Sequence, residues 1–380
     1  MVDKHESFTR WAVDQGVKAN GVAPALLPGR GVGIVAQRPI EEGEHLVFVP
    51  VKALLSINGV DKETKEALPD ITVHGLLATY LTLQATGASK STFRTEWRAV
   101  WPSRKDFRES MPFMWPASLQ ALLPPAAKDL LKKQQDKLEK DFATARKTYQ
   151  HLEREDFVYH WLMANTRTFY YVAPGLRKKP PRPEDCMALC PFADYFNHTD
   201  SGCPVTFDNK GFTVTSDKKY EVGEEVYVSY GNHSNDFLMV EYGFILTRNK
   251  WDELRLDDLV MEKLSERQKT RLRDAGFLGN YVLDQDQVCY RTQVALRSLI
   301  LPEAKWHRFI NGEYDGEREQ DEVDEHIVRL LQRYQSQASY AITELESDGG
   351  PSPAAKTLRT RWSQIRDMLS NTIQRIEQTN

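Results

Sequence analysis

Three short groups of residues carry the chemistry legible in this chain. Asn197-His198-Thr199 follows the apolar and aromatic run Pro191-Phe192-Ala193-Asp194-Tyr195-Phe196. Tyr230 ends the apolar segment Val226-Tyr227-Val228-Ser229-Tyr230, where a strand would let its hydroxyl point into a cleft. Tyr242 stands in Glu241-Tyr242-Gly243-Phe244. Singly, each has a plain structural reading: a satisfied histidine after an aromatic run, or a packed tyrosine at a strand edge. A glycine turn, Pro28-Gly29-Arg30-Gly31-Val32-Gly33, precedes an apolar strand, and no helix follows it as a dinucleotide fingerprint requires. Cys186, Cys190 and Cys203 lie close together, but no second cysteine pair stands at ligand spacing. They read as structural thiols, and no metal is expected.

The elements that must position these residues fall into three stretches. Strands are predicted around the glycine turn and over His45 to Val49, as a hairpin-like pair bent at the glycines. Val205 to Phe207 and Phe212 to Thr215 form a second pair, turned at Asn209-Lys210-Gly211. Apolar spacing predicts helices over Ser7–Gln15, Thr72–Gln84 and Ala126–Leu152, and Arg98–Pro116 reads as a packed irregular segment. After Phe244 the pattern is helical, with Ser265 and Gln268 at capping-box spacing. Two apolar stripes, Val323 to Leu345 and Leu358 to Ile376, are separated by Gly349-Gly350-Pro351 and predict an antiparallel helical hairpin.

In order, these motifs resemble those of SET-domain protein lysine methyltransferases. The nearest branch contains the Rubisco large-subunit methyltransferase and its fungal and animal non-histone relatives. The resemblance rests on Asn197-His198-Thr199, on Glu225 to Tyr230, and on Tyr242-Gly243-Phe244. Arg167 and Phe169 match the family's Arg-x-Phe element, and Leu76 to Trp115 is similar to the branch's helical insertion. It implies an α+β class: a SET β-fold with a pseudoknot, interrupted by a helical insertion and followed by an all-α C-terminal domain. The expected boundaries are 1–60 and 161–250 for the SET parts, 61–160 for the insertion and 251–380 for the helical domain.

The resemblance also implies the reaction: transfer of a methyl group from S-adenosylmethionine to a lysine amine. A free lysine has a pKa of about 10.4, so deprotonation at neutral pH costs roughly 4 to 5 kcal/mol. Aromatic walls and a nearby cationic cofactor lower that cost, and hydroxyls orient the amine. By resemblance Tyr230 and Tyr242 are catalytic. Arg30, Gly31, Val32, Gly33, Arg167, Asn197, His198, Tyr230 and Phe244 bind the cofactor, and Thr166, Asp194 and Tyr242 the substrate. Gly31 and Gly33 would let backbone approach the cofactor. Tyr171 replaces the basic residue of the chloroplast enzyme, which bears on how the cofactor carboxylate is held.

A formal net charge of −4 argues against nucleic acid as the main partner. No apolar run approaches the roughly 20 residues of a bilayer span, and Met1 to Gly16 has no signal-peptide character. The expected setting is cytoplasmic or nuclear. The basic loop Gly175 to Asp185 reads as solvated rather than as a nuclear-targeting patch. The expected partner is a non-histone protein docked between the SET and helical domains. Two rivals stand beside lysine transfer. One is histidine methylation, since Tyr230-Gly231-Asn232-His233-Ser234-Asn235 is similar to a run in the actin histidine methyltransferase. The other is a non-catalytic binding module.

Overall fold

A computed structural model of the chain describes residues 3–86, 95–172, 186–347 and 352–379. The Gly175 to Asp185 loop and the Gly349-Gly350-Pro351 break lie outside the described residues. The chain forms two compact units, each assembled from separated segments: Met1–Arg108 with Lys132–Asn232, and Glu109–Leu131 with His233–Asn380. The helical stretch expected over 61–160 is therefore divided between them.

The first unit holds three sheets. Strands β1 (Lys18–Ala19), β2 (Val22–Leu27), β3 (Gly31–Ala36), β4 (His45–Pro50) and β5 (Leu55–Ser56) come before the mid-chain helices. After them come β6 (Thr168–Tyr170), β7 (Met187–Leu189), β8 (Asn197–Cys203), β9 (Val205–Phe207), β10 (Gly211–Thr215) and β11 (Glu225–Val228). The sheet orders are β1-β4-β10-β9, β2-β3-β11-β8 and β5-β7-β6. The late strand β11 thus lies between the early β3, antiparallel, and β8, parallel. The closeness of the β8 crossing leaves no room at Gly202, where a Cβ would sit 2.7 Å from the Val228 backbone.

One expected pairing is corrected. β3 and β4 lie in different sheets and do not form a hairpin; β3 turns back on β2, pairing Leu27 with Gly31. Pro24 hides β2 from a strand reading, because proline lacks a ladder donor, and β2 accepts it as an edge strand. The β9–β10 turn forms where expected. Asp208 accepts from the Lys210 and Gly211 amides, and Gly211 must be glycine because a Cβ would lie 2.1 Å from Val49 O.

Helix α1 (Lys4–Asp14) precedes the strands, and α2 (Lys62–Ala67), α3 (Val73–Ala85), α4 (Thr95–Ala99), α5 (Arg104–Ser110) and α6 (Ala117–Ala121) replace them in mid-chain. α7 (Pro125–Thr148) and α8 (Arg154–Arg167) complete this part. The stretch read as irregular is broken into α4, α5 and a short 3-10 turn at Pro112–Met114. α3 starts on Thr72, whose hydroxyl caps Gly75 N. Buried Asp141 of α7 accepts from Thr72 Oγ1 at 2.6 Å and from Trp161 Nε1 at 2.9 Å. Gly75 makes room for it, since a Cβ there would lie 2.5 Å from the carboxyl carbon. Asp141→Ala is expected to cost about 3 kcal/mol, because it orphans the buried Trp161 Nε1 and the half-buried amide and hydroxyl of Thr72. A denaturant midpoint close to wild type would refute this.

Two buried histidines give the first unit an acid limit. Burial, and then the charge of Lys137, lowers His74 to about 3; its Nδ1 lies 2.9 Å from the Lys137 ammonium. Burial also lowers His160 to about 4. Between these values and the free-histidine value of about 6.5, the unfolded chain binds more protons than the folded one. Stability should hold above that value and fall as the pH drops towards 4. Melting curves from neutral to pH 4.5 should show the fall, and His74→Gln should flatten it; an equal slope in both proteins would count against the assignment.

The second unit is helical. It adds α9 (Asn235–Tyr242), α10 (Asp257–Met261), α11 (Glu266–Asp274), α12 (Tyr290–Ile300) and α13 (Glu303–Ile310). The long pair α14 (Gln320–Ser347) and α15 (Pro353–Thr379) follows, and a two-stranded ribbon joins β12 (Leu254–Arg255) to β13 (Val282–Leu283). The capping box at Ser265 and Gln268 opens α11. α14 and α15 run antiparallel, as the contacts Glu346–Arg359 and Gln335–Ser370 show. Leu330, Tyr334 and Ala338 pack with Leu358, Trp362, Ile365 and Leu369 in a core that also takes Trp115, Leu119 and Leu123.

Candidate active site

The Asn-His segment follows a strained bend. Phe192 is buried with φ of 71°, a backbone region that disfavours non-glycine residues. It opens the 3-10 turn Ala193–Tyr195 that leads into β8. Three contacts then join β8 to the end of β11. His198 Nδ1 accepts from Tyr230 N at 3.0 Å, the His198 and Tyr230 rings stack at 5.0 Å, and the Tyr230 hydroxyl donates to Phe196 O at 2.6 Å. His198 is buried, and Tyr230 is half-buried.

Asn197 donates through Nδ2 to Glu225 Oε1 at 2.8 Å. The other oxygen of Glu225 meets Arg30 Nη1 at 2.7 Å and accepts from the Tyr227 hydroxyl at 2.6 Å. Burial and the hydrogen bond to Glu225 raise the Tyr227 pKa. Arg30 sits at the tip of the β2–β3 hairpin, between Gly29 and Gly31, both in the left-handed region at φ of 74°. Gly31 is thus a turn requirement. Gly33 is a space requirement: its Cβ would fall 2.7 Å from Asn197 Nδ2. Val32 lies beside it on β3, half-buried.

Arg167, the last residue of α8, donates to the Asp194 carbonyl at 2.8 Å. Asp194 is raised by burial, against the pull of Arg167, and its carboxylate accepts from Trp97 Nε1 at 3.1 Å. Thr166 turns its hydroxyl onto Leu162 O. The polar atoms of Asp194 and Thr166 are therefore engaged inside the protein. Tyr171, at the position expected to be basic, is buried beside Phe207 and Phe212.

Tyr242 and Phe244 belong to the second unit. Their rings lie 6.3 Å apart, with Phe237 and His233 beside Tyr242. Tyr242 ends α9, and Gly243 closes that helix at φ of 82°. Burial, with Glu241 adding to it, pushes the Tyr242 hydroxyl up to about 12, so it stays protonated at neutral pH. The first unit brings together Arg30, Gly31, Val32, Gly33, Asn197, His198 and Tyr230. Tyr242 and Phe244 form their own aromatic cluster.

Sequence reading missed Glu225 and the helix α9. Glu225 stood at the head of the Glu225 to Tyr230 motif, with no role of its own assigned. α9 carried a usable signal, the N-cap Ser234 with Gly243 after the last turn.

Comparison with known proteins fits this geometry. The SET domain family matches residues 31–231, and the Ribosomal lysine N-methyltransferase 2 C-terminal domain matches residues 252–375. The chain is 27% identical over 246 residues to the Ribosomal lysine N-methyltransferase set11 of Schizosaccharomyces pombe. That match covers 61% of this chain and 62% of the yeast protein's length. The Actin-histidine N-methyltransferase of Drosophila melanogaster is 25% identical over 311 residues, covering 72% of this chain and 56% of its own. The crystal structure of the SET domain of LSMT bound to lysine and AdoHcy shares the fold. Its TM-score is 0.65 at 15% identity, over 99% of this chain and 91% of that one. With more than half of its length matched by the family and its strands in that fold, the chain belongs to the SET domain family.

Proposed function

We propose that this chain is an S-adenosylmethionine-dependent protein lysine N-methyltransferase acting on a non-histone protein, with a ribosomal protein as the first candidate. The observation that carries the reading is the attachment of Tyr230 to the Asn197-His198 segment through both its backbone amide and its hydroxyl. The named activity of the yeast relative and the ribosomal-methyltransferase match over 252–375 support the choice of lysine and of substrate class.

The residues present fit the cofactor. Arg167 Nε is buried without a partner among the described residues, the turn at Gly31 is open, and Asn197 offers an amide edge. When bound, S-adenosylmethionine supplies a methyl group on a sulfonium. Arg30, Gly31, Val32, Gly33, Arg167, Asn197, His198 and Phe244 are the residues we assign to holding it. Tyr230 and Tyr242 are the residues we assign to catalysis: an aromatic ring beside a lysine excludes water and disfavours its charged form, and a tyrosine hydroxyl directs the amine lone pair. Thr166 and Asp194 we assign to the support of α8 and Arg167, since their polar atoms are already engaged. We assign recognition of the protein substrate in part to the helical C-terminal region. The setting we propose is cytoplasmic or nuclear; recovery of the tagged protein from another compartment would refute that.

The test is methyl transfer from labelled S-adenosylmethionine to ribosomal proteins, followed by mapping of the modified residue. A Lys→Arg change in the labelled protein should abolish transfer. Label that survives this change and vanishes on His→Ala would establish histidine methylation. Cofactor binding without transfer to any protein fraction would favour a binding module.

A further inference from the structure

A primary amide has two chemically opposite edges: Nδ2 donates and Oδ1 accepts. Which edge of Asn197 is offered to a ligand depends on what holds the other. Here Glu225 holds it. The Glu225 side chain is only 6% exposed, and its Oε1 accepts from Asn197 Nδ2 at 2.8 Å. Turning the amide over would set two oxygens against each other with no hydrogen between them, which a buried carboxylate penalises. The pair also sets the residue beneath it. A Cβ on Gly33 would lie 2.7 Å from Asn197 Nδ2 and 2.8 Å from Glu225 Oε1. Glu225 is fixed in turn by Tyr227, whose hydroxyl donates to Oε2 at 2.6 Å, and by Arg30 at 2.7 Å.

We infer that Glu225 is a positioning residue for cofactor binding: it leaves the Asn197 amide oxygen as the edge offered to the ligand, and glycine at 33 admits the pair. This rests on the methyltransferase reading above. S-adenosylmethionine carries an ammonium and a sulfonium, and an outward acceptor suits a cation where an outward N–H does not. The Arg30 ion pair is the lesser part of the arrangement. The Arg30 side chain is 53% exposed, and an ion pair so open to water contributes little.

The experiment measures the dissociation constant of S-adenosylmethionine by calorimetry, with a melting temperature for every variant. Glu225→Ala should weaken binding about tenfold, and Glu225→Gln, whose amide oxygen still accepts from Asn197, should retain most of it. Asn197→Asp should weaken binding by placing two carboxylates together, and adding Glu225→Gln should restore it, because the introduced amide can donate to the new carboxylate. The Asn197→Asp pair of measurements decides the matter even if Glu225→Ala does not fold. The inference is overturned if Glu225→Gln binds as poorly as Glu225→Ala, or if it fails to rescue Asn197→Asp. A wild-type protein that binds no S-adenosylmethionine would bring down the methyltransferase reading itself, and this inference with it.

Discussion

Tyr230→Phe should lower methyl transfer about a hundredfold or more while leaving cofactor binding close to wild type. The ring that stacks on His198 at 5.0 Å is retained, as is the backbone amide that donates to His198 Nδ1. What is lost is one hydroxyl, the group that donates to Phe196 O at 2.6 Å. The variant therefore separates the packing role of the residue from its chemical one. Initial rates with labelled cofactor, set beside equilibrium binding and a melting curve, make that separation. A rate close to wild type would remove Tyr230 from the reaction. An equal loss of rate and binding would make it a structural residue.

Arg361→Met should destabilise the second unit by about 3–5 kcal/mol. Arg361 is fully buried on α15, with Nε on Asp236 Oδ1 at 2.8 Å and Nη1 on Asp252 Oδ2 at 2.6 Å. Asp252 also accepts from Asn235 N, so one guanidinium secures the start of α9 and the stretch that follows it. Burial already raises the Asp252 pKa, against the pull of Arg361. Without the arginine it should rise further, so the folded variant would bind a proton that the unfolded chain releases. Stability then falls as the pH rises through that interval, and the deficit should be largest at neutral pH and smaller near pH 4. Denaturant titrations at both pH values check this; a deficit that grows on acidification would contradict it.

The fold was legible wherever its determinants are local. The stripes of α14 and α15, the Ser265–Gln268 box, the helix read over Thr72 to Gln84 and the turn at Asn209-Lys210-Gly211 each rest on residues within a few positions of what they control. The Asn-His pair and Tyr230 were legible because their order along the chain is itself distinctive. Glu225, Asp141 and Arg361 were not. Each takes its meaning from a distant residue: Glu225 from Arg30 and Asn197, Asp141 from Thr72, and Arg361 from Asp236. No periodicity marks such a partner. The β3–β4 pairing failed for a related reason: adjacency in sequence suggested a hairpin, whereas the long-range insertion of β11 beside β3 gave each strand other neighbours.

The discontinuous build of the second unit matters while the chain is being made. Trp115, Leu119, Leu123, Ala127 and Leu131 belong to a core whose other buried members begin at Met239. They leave the ribosome about a hundred residues ahead of those partners, a wait of roughly 5 to 20 seconds at ordinary elongation rates. For that interval an apolar helical segment has nothing to cover it. Premature termination before α9 would leave it so permanently, which makes a shortened nascent chain a target for holdase chaperones and for quality-control proteolysis.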